Sequence, residues 1–248
     1  MRPPIPILTY HQVDAAPAPG TPFRGLTVTP GAFARQMAML SLLGWRGLSM
    51  SALEPYLRGD KRGRVVGITL DDGYVNNLTH ALPVLRRHGF SATCYMVSGQ
   101  LGGANVWDAE SGIPAKPLMN REQLRAWVAG GQEVGAHTRH HVDLRAVDTA
   151  TARDEIAGCR AELEALVDAP VRHFCYPYGY FSAEHVALVR EAGYATATTT
   201  QRARVQPSDD LLQLPRAPVL GTTSLPVLWL KIATGYEVPS PEGGASRF

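Results

Sequence analysis

Two adjacent acids, Asp71 and Asp72 in TLDDG, and two histidines four apart, His137 and His141 in HTRHH, are the residues whose types and spacing suggest chemistry. Neighbouring carboxylates repel unless a cation or proton lies between them. Histidines at i and i+4 have a spacing often used for metal ligation. Each pattern alone has an ordinary reading: DDG as a helix cap with a turn, the histidine pair as surface. Together, an aspartate and two histidines form a facial set with positions left open for water, which suits a hydrolytic Zn²⁺ or similar divalent ion. Asp71, left over, is then placed to act as a base on water.

Such residues must be gathered by the elements around them. β-rich runs alternate with amphipathic helical runs through the chain. Strands are expected at IPILTY (5–10), VVGITL (65–70), SATCYMV (91–97), QEVGAH (132–137), VRHFCY (171–176), YATATT (194–199) and APVL (217–220). Helices are expected after Thr29–Pro30, from Tyr74 to Gly89, after Asn120 with Gln123 as a capping box, over 149–167, after Ser182 and over 223–235. The Gly- and Pro-rich stretch 98–118 reads as a long loop of the kind that carries function. Strand–helix alternation points to parallel strands with helices outside, as a doubly wound sheet or a barrel. In either, strand C-termini share one face. Four polar clusters then meet: Tyr10–His11, Asp71–Asp72, His137–His141 and Tyr176–Pro177–Tyr178.

The bulk composition narrows the function classes. The 248 residues are 45% hydrophobic with a net charge of only +2, enough for one buried core and poorly suited to nucleic acid. RGDKRGR (58–64) reads as a solvated loop. No stretch approaches a membrane span, and the N-terminal apolar run is too short for a signal peptide. Cys94, Cys159 and Cys175 show no metal spacing. Reduced thiols and a cytoplasmic setting are expected, although an exported chain trimmed of its leader would read the same.

The motifs carry a resemblance. TLDDG, GAHTRHHVDL and FCYPYG resemble the three successive motifs of the NodB-like polysaccharide deacetylases, carbohydrate esterase family 4, over about residues 65–200. PILTYHQV is similar to an opening found in the biofilm-polysaccharide branch. The resemblance implies an irregular (β/α) barrel of about seven parallel strands, with residues 1–238 as one catalytic domain. The remaining 239–248 read as a flexible tail. It also implies a divalent metal, Zn with Co or Ni as alternatives, held by Asp72, His137 and His141. Asp71 would be the general base, Thr138 would brace the second motif, and the Tyr178 backbone N–H, held by Pro177, would stabilise an oxyanion. The implied reaction is hydrolysis of N-acetyl groups on an amino-sugar polysaccharide or glycoconjugate. The alternatives are an amide hydrolase of the same fold acting on a cyclic amide or formamide, a non-catalytic carbohydrate-binding protein, and a structural metal protein.

Two positions depart from the family pattern. Cys175 stands where the family has an arginine that steadies the base; a thiol cannot replace a guanidinium, and Arg216, beside the expected strand 217–220, is the candidate substitute. The family's C-terminal general-acid histidine has no counterpart, since no histidine follows His185. First and last strands of a closed barrel are neighbours, so His11 is expected to serve instead, on the same face as Asp71. His80, His88, His173 and His185 read as structural, and His140 as packing in its loop. Trp107 and Asp108 are candidates for a sugar platform and a polar contact. Oligomeric state is left open.

Overall fold

Parallel pairing runs unbroken around the molecule in the computed structural model, which describes residues 3–234 and 236. The strands are β1 (Ile7–Tyr10), β2 (Gln12–Val13), β3 (Thr27–Val28), β4 (Arg46–Leu48), β5 (Val65–Leu70), β6 (Thr93–Met96), β7 (Glu133–Ala136), β8 (His173–Cys175), β9 (Thr196–Arg202) and β10 (Leu214–Pro218). The order β1-β10-β9-β8-β7-β6-β5 closes because β5 also pairs with β1, Thr9 opposite Thr69 and Tyr10 opposite Leu70. The result is a closed seven-strand parallel barrel. The short β4 pairs with the first half of β5, and β2 with β3 forms a separate ribbon.

Helices α1 (Pro30–Leu42), α2 (Met50–Arg58), α3 (Leu82–Arg87), α4 (Arg121–Ala129), α5 (Thr149–Arg153), α6 (Cys159–Val167), α7 (Ala183–Glu191) and α8 (Leu225–Thr234) accompany the barrel. Three begin with the caps legible in the sequence: Thr29 accepts from Ala32 N, Asn120 and Gln123 form a reciprocal capping box, and Ser182 forms one with His185. Strand alternation separates two apolar layers. Leu8, Tyr10, Val66, Ile68 and Phe174 pack outward under the helices, while Ile7, Val65, Tyr95, Cys175 and Leu214 belong to a second, inner cluster.

Several local readings differ from the structure. Residues 45–64 carry β4 and α2, which the sequence reading did not assign. Pro55 lies inside α2, where it looks like a helix breaker. Leu53, Tyr56 and Leu57 of α2 join the inner cluster and close the N-terminal end of the barrel. The last strand is Leu214–Pro218 rather than 217–220, so Arg216 lies within it. Single π-turns, Asn77–Ala81 and Asp154–Gly158, interrupt the expected long helices. The loop 98–118 contains 3₁₀ turns at Ser98–Gln100 and Val106–Ser111. Residues 58–64 are exposed. Among the described residues no helix is long and apolar enough to cross a membrane. The tail 239–248 lies outside the described residues.

Candidate active site

With every barrel strand parallel, the strand ends deliver their polar residues to one face. His11 follows β1, Asp71 and Asp72 follow β5, His137–His141 follow β7, and Tyr178 follows β8. Arg216 reaches the same place from inside β10. All seven predicted site residues that this includes (His11, Asp71, Asp72, His137, His141, Tyr178 and Arg216) line a single cleft.

Local backbone geometry here is costly. Six non-glycine residues among those described have positive φ, and four belong to this site: Asp72 (73°), Thr138 (62°), His141 (58°) and Tyr178 (58°). Left-handed backbone costs a non-glycine residue on the order of 1–3 kcal/mol, so surrounding bonds must hold it. Thr138 Oγ1 accepts from His141 N at 3.0 Å and donates to His137 O at 2.6 Å, bracing the turn between the two histidines. Gly73 (φ 80°) completes the DDG turn where a Cβ would lie 2.7 Å from the Met96 methyl. Neither aspartate caps the following helix.

Asp72, His137 and His141 converge. Asp72 Oδ1 lies 3.5 Å from His137 Nε2 and 3.4 Å from His141 Nε2. Ligand bonds of ~2.1 Å in a tetrahedral site put the donors ~3.4 Å apart, so the three residues fit a divalent ion. All three are buried. His137 donates through Nδ1 to Cys175 O at 2.7 Å, leaving Nε2 to face the cluster. His141 Nδ1 has no hydrogen-bond partner among the described residues. Its ring is held by packing instead, stacked on Trp107 at 4.5 Å and meeting Tyr178 edge-on at 4.5 Å. Charge points the same way. Burial opposes ionisation of Asp72, yet the hydrogen bond and charge of His141, with His11 and His137, hold its carboxyl well below the ordinary range. Burial would lower His137, but Cys175, Asp71 and Asp72 raise it to about 9. His141 goes the other way, lowered by burial and the His137 charge against the pull of Asp72, which leaves its ring neutral beside the Asp72 carboxylate as a metal ligand must be. Asp71, His137 and Cys175 also come together, but a guanidinium already occupies the Asp71 carboxylate.

That guanidinium is Arg216. Nη1 donates to Asp71 Oδ1 and Nη2 to Oδ2, both at 2.8 Å. The remaining donors go to Thr69 Oγ1 (3.1 Å), Thr199 O (3.0 Å) and Cys175 Sγ (3.2 Å), so all five N–H groups are engaged. Burial would raise the Asp71 carboxyl, but the charge and hydrogen bonds of Arg216, aided by His11 and His137, lower it. Cys175 is small enough to admit the guanidinium arriving from β10.

His11 is half-buried, and its backbone is clamped by fully buried Asn77, whose Nδ2 donates to His11 O at 2.8 Å and whose Oδ1 accepts from Val13 N at 3.3 Å. Tyr178 sits in the turn Pro177–Gly179. Trp107 lines the cleft but spends one face on His141. Asp108 is raised to about 6 by burial and the Asp72 charge, against hydrogen bonds from Asn105 and Tyr74. His140 turns away from the cluster onto Glu155, 2.6 Å from Nδ1. His173 is fully buried at the start of β8, bonded to Ser51 and Thr196. The sequence reading missed Asn77 and Glu155. Both fall inside expected helices, where their only signal was a polar residue on a helical stretch.

The polysaccharide deacetylase family model matches residues 58–197. Chitooligosaccharide deacetylase of Bradyrhizobium sp. (strain ANU 289) is 31% identical over 140 residues, 55% of this chain and 57% of that protein. YxkH of Bacillus subtilis (strain 168) is 25% identical over 199 residues, 79% and 64% respectively. The chain thus spans under two thirds of these relatives. Among solved structures, IcaB from Ammonifex degensii superposes with a TM-score of 0.74 at 25% identity, covering 91% of this chain and 95% of that one. The Streptococcus pyogenes deacetylase PplD in complex with acetate superposes with a TM-score of 0.80, covering 94% and 99%; at 21% identity this likeness concerns the fold.

Proposed function

Because the chain belongs to the polysaccharide deacetylase family, we propose that it is a metal-dependent hydrolase removing N-acetyl groups from an amino-sugar polysaccharide or glycoconjugate. The observation that carries this reading is the convergence of Asp72, His137 and His141 beside an Asp71 carboxylate locked to Arg216. Binding alone would need no such base.

A divalent ion held by Asp72, His137 and His141, with Zn favoured by the donor set and Co or Ni compatible, would supply Lewis acidity toward the amide carbonyl and the attacking water. Asp71 takes the proton from water as it attacks the carbonyl carbon. Arg216 keeps that carboxylate ionised and fixes its plane. Oδ1, which accepts from Arg216 Nη1, keeps a lone pair for the proton, while Oδ2 accepts from both Arg216 Nη2 and the Cys175 thiol. The Tyr178 backbone N–H donates to the developing oxyanion. His11, as imidazolium, gives its proton to the leaving nitrogen as the C–N bond breaks. Acetate and a free amino sugar result. Trp107 and Asp108 line the rim where the sugar enters. The substrate is thus an acetylated amino sugar.

Acetate release from N-acetylglucosamine oligomers tests the proposal. Release should stop on chelation and return with Zn²⁺ or Co²⁺. Inertness toward every acetylated amino sugar, with hydrolysis of cyclic amides or formamides instead, would overturn it.

A further inference from the structure

Between His137 and His141 the chain makes a turn in which Thr138 and His141 are both left-handed. Thr138 braces it from within, and a second group grips it from outside. Glu155, 5% exposed in the π-turn between α5 and α6, directs Oε2 at two successive backbone donors, Arg139 N at 2.8 Å and His140 N at 2.9 Å. Its Oε1 accepts from His140 Nδ1 at 2.6 Å. Consecutive N–H groups converging on one anion form a concave nest, a conformation that ties neighbouring φ angles together. The flanking carboxylates serve the same loop: Glu162 accepts from Arg139 Nε at 2.9 Å, and Asp154 pairs with Arg139 Nη1. On the other side, Gly99 N donates to Arg139 O at 2.8 Å, in a contact so close that a Cβ on Gly99 would lie 2.6 Å from that oxygen. The three residues between the histidines are thereby fixed without touching the metal cluster.

We propose that Glu155 is the positioning residue of the metal-ligand loop, setting the separation of His137 Nε2 and His141 Nε2 through the turn between them. The inference rests on the metal reading above. His141 gives it particular weight, because among the described residues its Nδ1 has no hydrogen-bond partner to orient the ring from behind. Its aim depends on ring packing and on the backbone that Glu155 and Thr138 hold.

Chelator competition gives the Zn²⁺ and Co²⁺ affinities, the visible spectrum of the Co²⁺ protein reports ligand geometry, and thermal melting without added metal checks the fold. Glu155→Ala loses all three bonds and should bind metal ~10–100-fold more weakly, the usual effect of removing a group that orients a ligand, with altered cobalt bands. Glu155→Asp keeps the charge but withdraws it by one methylene, and should weaken binding about tenfold. Glu155→Gln retains an oxygen for the backbone donors and should stay within about threefold of wild type. Wild-type affinity and cobalt spectrum in Glu155→Ala, or in Glu155→Asp if the alanine variant is insoluble, would overturn the inference while leaving the metal reading intact. A wild-type protein that takes up neither metal would end both.

Discussion

Arg216, in the middle of the last barrel strand, grips Asp71 at the end of β5 through two 2.8 Å hydrogen bonds, at a point where both side chains are about 3% exposed. The two residues are 145 positions apart. Each would be costly to bury alone, and together they are satisfied by geometry that only barrel closure provides.

Removing the cation should therefore change the acidity of the base. In Arg216→Met the largest contribution opposing burial is lost and only the weaker charges of His11 and His137 remain, so the Asp71 carboxyl rises from its lowered position. The acid limb of the pH–kcat/KM profile should move to higher pH. Breaking the buried pair should also cost on the order of 3–5 kcal/mol of stability, measurable by denaturant titration. An acid limb that stays in place would detach Arg216 from the base.

Asp71→Asn should keep near-normal metal content while turnover falls ~10²-fold or more, the usual contribution of a positioned base. Asp72→Ala, His137→Ala and His141→Ala should instead lose metal and activity together. Elemental analysis of each purified variant separates the two classes. A His141→Ala protein with a full equivalent of tightly bound metal would mean that the third ligand lies elsewhere.

His11→Ala should retain fold and metal yet lose most of its rate on N-acetyl sugars. An activated aryl acetate, whose leaving group needs no proton, should be affected far less. Equal losses on both substrates would remove His11 as the proton donor.

At the opposite end of the barrel, Glu133 accepts from Thr93 Oγ1 at 2.5 Å and from Ser51 N at 3.1 Å, and lies 3.4 Å from His173 Nε2. Burial works against its charge, but these partners, His173 foremost, lower its carboxyl to about 2. A depressed folded value stabilises the protein above the unfolded carboxyl range near 4.5 and is lost as pH falls toward 2. The stability gap between wild type and Glu133→Gln should be full at pH 6 and narrow progressively below about pH 4.5. A gap independent of pH would show that the Glu133 charge contributes nothing.

Strand–helix alternation, the caps at Thr29, Asn120 and Ser182, and the polar clusters following β1, β5, β7 and β8 were legible from the sequence, because each is a pattern within a few residues. The chemical types in TLDDG and HTRHH narrowed the reaction in the same way. The helix α2 was not legible: Pro55 resembles a breaker, and its apolar side makes sense only against the end of a barrel. Arg216 could be nominated from its nearness to a strand, but its five hydrogen bonds reach four residues in three other stretches of the chain. Asn77 and Glu155 look like polar residues on helical stretches until tertiary contact sets one against His11 and the other against the His137–His141 turn. Local sequence thus determined which elements form and which reactive groups end them. Only the closed barrel decided which distant charges meet, because desolvation and pairing act on groups brought within a few ångströms, whatever their separation along the chain.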